Sequence, residues 1–193
     1  CLTLRKLGSR LQGHPERDMM PGVETTSGPL GSGLSQAAGI AYGARMDGKK
    51  FRIYCFLSDG EQQEGNTWEG AMFVGANKLS NLTAIMDRNN IQITGMTEEI
   101  MPLEPLRDKY EAFGWHVLEV DGHNMAEVAD AVEEAKAIYE KPTMIIAHTI
   151  PGKGVKEIEG NYLWHGIPPK KEQEESFIRQ IREAAKDVIK KEK

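Results

Sequence analysis

The chain has 193 residues, of which 39% are hydrophobic; that is enough for one buried core and too apolar for a disordered segment. A net charge of −5 argues against a nucleic-acid surface, and the mixed runs Lys170-Lys171-Glu172 and Lys190-Lys191-Glu192-Lys193 read as solvated helix faces. Two distant cysteines, Cys1 and Cys55, argue against a disulfide scaffold or zinc site, and with no membrane-length apolar run and no signal peptide the expectation is a soluble, cytoplasmic protein.

Leu2 to Arg10 reads as a helix end running into a loop, and Cys1 stands where a Met would begin a chain. The expectation is one domain over residues 1–193 with its front portion missing. Residues 11–31, rich in Gly, Pro, Thr and Ser, are too irregular for a regular element and too particular for a linker, so they form a candidate site loop. From Ser32 to Met46, Leu34, Ala37, Ala38, Ile40, Ala41 and Ala44 with Gly39 and Gly43 describe a helix packed close to a sheet.

Phe51 to Leu57 is rich in β-branched and aromatic residues and predicts a strand; Asn66 to Asn77, with Trp68, Ala71, Met72 and Gly75 at helical spacing, predicts a helix; Leu82 to Met86 predicts the next strand. A helix over Leu103–Phe113, a strand over Trp115–Val120, a helix over Ala126–Tyr139 and a strand over Thr143–His148 continue the alternation. That rhythm gives an α/β fold with a doubly wound, mainly parallel sheet and helices on both faces. In the final helix, Phe177, Ile181, Ala184 and Val188 share a face with Ile178, Ala185 and Ile189, a stripe read as core packing that closes the domain or meets a partner.

Two polar segments follow predicted strands, Ser58-Asp59-Gly60 and Asn89-Asn90. Ligands of parallel sheets collect at the carboxyl ends of strands. The Asp59 carboxylate and the Asn89 amide oxygen are hard ligands suited to Mg²⁺ or Ca²⁺, and a helix opening near Gly65 would aim backbone N–H groups at a phosphate. Asp-Gly and Asn-Asn are also ordinary turn dipeptides, and on local grounds both readings stand.

The wider context resembles the thiamine diphosphate enzymes, and transketolase among them. The segments are Ser58-Asp59-Gly60 with Glu61-Gln62-Gln63-Glu64-Gly65, Asp87 to Gly95, Gly13-His14-Pro15-Glu16, Pro21 to Gly33, Ile150 to Val155, and Trp164-His165-Gly166. Ser58 replaces the glycine usual in the first motif. The resemblance covers almost the whole chain and implies thiamine diphosphate with Mg²⁺ or Ca²⁺ as cofactors. The metal ligands it implies are Asp59, Asn89 and the Ile91 carbonyl. The cofactor contacts are Gly28, Pro29, Leu30, Gly60, Glu61, Asn89, Ile93 and His165, with Gly31 allowing close backbone approach. It further implies that His14 faces the substrate, that His165 transfers protons, and that Glu64 lies at a subunit interface linked to an activating carboxylate. That activating carboxylate belongs to a pyrimidine-binding half with no match in this chain.

The expectation is therefore the diphosphate-binding, N-terminal subunit of a split transketolase, moving a two-carbon ketol unit between sugar phosphates in pentose phosphate metabolism. It would act as a hetero-oligomer with a pyrimidine-binding C-terminal subunit, without nucleic acid or membrane. Alternatives are another thiamine diphosphate enzyme, such as 1-deoxyxylulose-5-phosphate synthase or a pyruvate dehydrogenase subunit, and a non-catalytic binding or assembly subunit. His116, His123 and His148 match no site segment and read as structural or surface.

Overall fold

Four strands alternate with helices as the periodicities predict. The structure, a computed structural model, describes the backbone of residues 2–191 and the side chains up to Lys186. Cys1, the stripe positions Val188 and Ile189, and the tail from Lys190 lie outside the described side chains.

Helix α1 (Gly33–Met46) leads to strand β1 (Ile53–Ser58), a 3₁₀ turn (Gly60–Gln63), helix α2 (Gly65–Ala76) and strand β2 (Leu82–Arg88). A small hairpin, β3 (Ile91–Gln92) and β4 (Gly95–Met96), precedes helices α3 (Thr97–Ile100) and α4 (Leu106–Ala112). Strand β5 (His116–Asp121), helix α5 (Met125–Ala137), strand β6 (Thr143–His148), a 3₁₀ turn (Tyr162–Trp164) and helix α6 (Lys171–Lys191) complete the order.

The main sheet has the order β1-β2-β6-β5, and every pairing in it is parallel. The central strands β2 and β6 are buried almost throughout, whereas the edge strands β1 and β5 alternate, because only central strands are covered on both faces. On one face Leu34, Ala38 and Ala41 of α1, Ala71 and Val74 of α2, and Leu106 and Tyr110 of α4 pack on Cys55, Leu57, Ala84, Met86, Val117 and Ile146. Ala131 and Ala135 of α5 cover Ile85 and Ile145 on the other. Burial pushes the Cys55 thiol up to about 12, so it packs as an apolar side chain.

Two expectations change. Gly39 and Gly43 face open space, and the close approach of α1 to α2 is made by Gly70, where a Cβ would lie 3.0 Å from Ser35 Oγ. The α6 stripe is only partly core: Phe177 is buried edge-on against Trp164 at 5.8 Å, but Ile178 and Ile181 are exposed. The helix leans on the preceding loop, with Gln180 accepting from Lys156 N and donating to Glu157. No described helix is long and apolar enough to cross a membrane.

Candidate functional site

Parallel register sets the site. Ser58 of β1 stands opposite Asp87 of β2, Arg88 opposite His148 of β6, and Asp121 of β5 opposite the same His148, so the carboxyl ends of all four strands lie level. The two polar motifs leave from neighbouring tips, and the ladder extends past them, Asp59 N donating to Asp87 O at 3.2 Å and Thr149 N to Arg88 O at 3.1 Å.

Asp59 is fully buried. Its Oδ1 accepts from Gly60 N at 2.7 Å; its Oδ2 accepts from Asn90 N at 2.5 Å and from Arg88 Nη1 at 3.0 Å. Burial pushes its carboxyl above the ordinary value, against the lowering effect of Asn90 N, Arg88 and Gly60 N. Asn89 donates through Nδ2 to Asp87 Oδ2 at 3.1 Å, while its Oδ1 accepts from Ile91 N at 3.1 Å. Thr149 Oγ1 donates to the other oxygen of Asp87. The amide is thereby oriented, nitrogen toward Asp87 and oxygen toward the turn. Asn90 takes φ 65°, a left-handed conformation that Asn tolerates, and this reversal starts the β3–β4 hairpin.

A Cβ at Gly60 would lie 3.1 Å from Gln92 Cβ and 3.8 Å from Ile91 O, so the Gly60 backbone and the Ile91 carbonyl are close neighbours. Asp59, Asn89 and Ile91 thus lie on adjoining turns at the tips of β1 and β2, and Asp59 Oδ1 and Asn89 Oδ1 each accept a single hydrogen bond. This donor set fits a Mg²⁺- or Ca²⁺-type cation. Among the described residues no cluster of three His, Cys, Asp or Glu side chains forms an alternative centre.

The loop before α1 is anchored from the same region. Glu61 is buried and spent on backbone: Oε1 accepts from Gly31 N at 2.9 Å and Oε2 from Ser58 N at 3.4 Å. Burial raises the Glu61 carboxyl, only partly offset by those two N–H groups. Gly31 has φ 81°, and a Cβ there would lie 2.8 Å from Glu64 Cβ. Asn66 Nδ2 donates to Gly31 O at 2.9 Å. Glu64 itself is exposed at the N-cap of α2, and its side chain makes no capping hydrogen bond.

His14 packs on Gly28, whose Cβ would lie 2.9 Å from His14 Cγ, and Ser27 N donates to Pro15 O at 3.2 Å, so the His-Pro and Gly-Pro-Leu segments form one surface. His14, Pro29, Leu30, Ile93 and His165 are all exposed. His165 follows the 3₁₀ turn that lies against β4, which puts it on the hairpin side of the site. No hydrogen bond joins His14 to His165 among the described residues.

The α2 N-terminus differs from expectation. The 3₁₀ turn separates Gly65 from Asp59, and Gly65 lines, with Trp68, Leu103 and Phe113, an apolar cleft of about 540 Å³ that contains none of Asp59, Asn89 and Ile91. His116, His123 and His148 all have partners, Glu134 at 3.3 Å, Ile150 N at 2.7 Å and Glu119 at 2.9 Å. Sequence reasoning gave no role to Asp87, Arg88 or Thr149, which hydrogen-bond Asn89, Asp59 and Asp87 respectively; the signal for Arg88 is a charge at the end of an apolar central strand.

The chain matches the family described as transketolase, thiamine diphosphate binding domain, over residues 2–185. It is 44% identical over 181 residues to one of the subunits of an apulose-4-phosphate transketolase from Phocaeicola vulgatus, covering 94% of this chain and 64% of that protein. It is 46% identical over 165 residues to a 6-deoxy-6-sulfo-D-fructose transketolase subunit from a Clostridium species, covering 86% and 60%. Rat transketolase is 42% identical over 185 residues, 93% of this chain and 28% of the relative. The crystal structure of Campylobacter jejuni transketolase superposes with a TM-score of 0.86 at 37% identity, over 95% of this chain and 29% of that one. The chain spans under two thirds of the length of the curated relatives it matches.

Proposed function

Because this chain belongs to the family of transketolase thiamine diphosphate-binding domains, we propose that it is the diphosphate-binding part of a two-chain transketolase that moves a two-carbon ketol unit between sugar phosphates. The observation that supports the reading is the placement of Asp59, Asn89 and Ile91 on adjoining turns at the tips of β1 and β2, with the Ile91 carbonyl close to Gly60. These three would hold a Mg²⁺ or Ca²⁺ ion, and that ion would hold the cofactor's diphosphate. Thiamine diphosphate, when bound, supplies the nucleophilic carbon that accepts the ketol unit.

The chain's own residues bind and orient. Gly28, Pro29 and Leu30 offer an exposed backbone and an apolar wall for a flat ring, with Ile93 exposed on the hairpin side. His14 meets the sugar's oxygens, and His165 moves protons near the reacting carbonyl. Glu61 shapes the wall indirectly, by fixing Gly31 and Ser58. Glu64 faces a pyrimidine-binding partner that contributes the activating carboxylate, in keeping with relatives named as subunits. The relatives' names also favour transketolase over the synthase and dehydrogenase alternatives.

The test is calorimetric titration of thiamine diphosphate with Mg²⁺ into the assembled protein, followed by turnover with xylulose 5-phosphate, apulose 4-phosphate and 6-deoxy-6-sulfo-D-fructose as ketose donors. Metal-dependent binding and turnover of one donor are expected. Binding of equal strength without any divalent ion would overturn the metal-bridged reading.

A further inference from the structure

Arg88 is a buried cation at the end of a central strand, only 2% exposed, with no assigned part in the proposed chemistry. Its Nη1 donates to Asp59 Oδ2 at 3.0 Å and to Thr97 Oγ1 at 2.9 Å; its Nη2 donates to Glu98 Oε1 at 2.7 Å and Glu104 Oε1 at 2.9 Å. The acceptors come from the tip of β1, the first turn of α3 and the segment before α4. A guanidinium is the side chain suited to such a junction, because its planar fork keeps several donors in fixed directions.

Two consequences bear on the neighbouring oxygens. First, Arg88 and Asn90 N take up Oδ2 of Asp59, so the carboxylate is held in one orientation and Oδ1, with a single partner, is the oxygen left for a cation. Second, the hydrogen bonds to Thr97 and Glu98 fasten the residues that immediately follow the β3–β4 hairpin, and Thr97 N donates to Asn90 O at 2.9 Å. The hairpin is thus gripped at both ends, which fixes Asn89 and Ile91 opposite Asp59. One guanidinium among the carboxylates of Asp59, Glu98 and Glu104 leaves the cluster net negative, so Arg88 orders the site without neutralising it.

We propose that Arg88 is the positioning residue of the cation site, holding Asp59 and the hairpin in ligating arrangement before any metal arrives. The proposal rests on the assignment of Asp59, Asn89 and Ile91 as cation ligands. A clamp that served stability alone would lower the melting temperature and leave cation affinity untouched in the folded protein.

The experiment is a Mn²⁺ titration of the chain, with and without thiamine diphosphate, read by paramagnetic broadening of the Gly60, Asn90 and Ile91 amide resonances, which registers even weak binding. Wild type is expected to broaden at these amides first. Arg88→Met should need about 10- to 100-fold more Mn²⁺, the usual effect of removing a group that orients a metal ligand, and Arg88→Lys should shift in the same direction by a smaller factor. Glu104→Gln, which leaves the Arg88–Asp59 contact in place, should titrate nearly as wild type. A wild-type midpoint in folded Arg88→Met overturns the proposal; if that variant does not fold, a wild-type midpoint in Arg88→Lys does so. No broadening at these amides in wild type overturns the cation assignment itself, and this inference with it.

Discussion

Asp59 holds two protein turns together and is the proposed cation ligand, and substitutions there touch both roles. Asp59→Ala removes a proposed cation ligand and also strands Gly60 N and Asn90 N, a loss on the order of 1–3 kcal/mol for a buried donor left without its acceptor. Asp59→Asn keeps the shape but turns one accepting oxygen into an N–H₂ donor that faces either Gly60 N–H or the Asn90 N–H and Arg88 pair, so it too loses hydrogen bonds. Both variants, like Asn89→Ala, should abolish Mg²⁺-dependent binding of thiamine diphosphate in calorimetry, and unchanged affinity would remove them from the site. His14→Ala and His165→Ala should leave that binding largely in place and lower ketol transfer by about 10²–10⁴-fold, as steady-state kinetics would show. Glu61 carries a pH signature. Its folded pKa is raised by burial, so below the unfolded value both states are protonated and nothing is lost; between the unfolded and the raised folded value the unfolded chain releases its proton while the folded one holds it, and the loss of stability is complete once pH has climbed through the raised value. Melts of Glu61→Gln against wild type should therefore show the variant gaining relative stability from pH 4 to pH 8, and a flat difference would contradict this.

Elements lock together most tightly where α2 passes the turn between α4 and β5. A Cβ at Gly75 would sit 1.9 Å from Phe113 O, a backbone atom that cannot swing aside. Gly75→Ala should cost about 1–3 kcal/mol, as overpacking typically does, despite alanine's better helix propensity, and urea unfolding measures it. The same elements show what the sequence could reveal. Strands β2 and β6 were legible as apolar runs, and α1, α2 and α5 from periodicity, because burial stamps itself on composition. The β3–β4 hairpin was invisible, since two-residue strands leave no period, and it rests on the left-handed Asn90 and on Arg88. The α6 stripe misled because amphipathicity shows that a face is apolar without showing what lies against it. Motif residues Asp59 and Asn89 stood out by chemistry, whereas the roles of Asp87 and Thr149 exist only across a strand-to-strand register.

At the scale of the molecule, the residues expected to meet cofactor and substrate lie open: Leu30 is 57% exposed and Ile93 76%. A ring held against such a wall remains in water unless a second surface covers it, so the purified chain should bind thiamine diphosphate weakly and turn over no ketose phosphate alone. A turnover assay with Mg²⁺, thiamine diphosphate, ribose 5-phosphate and xylulose 5-phosphate checks this, and robust activity without a second polypeptide would contradict it. The long segment from residue 2 to residue 31, without helix or strand, joins the sheet through few bonds, chief among them Gly31 N to Glu61. Amides held only in this way exchange with solvent through local opening, while those of β2 and β6 wait for the whole domain to unfold. Cofactor binding should therefore slow deuterium uptake most across residues 11–30 and scarcely at all in the central strands, so part of the intrinsic affinity is spent on ordering the wall that the ring touches.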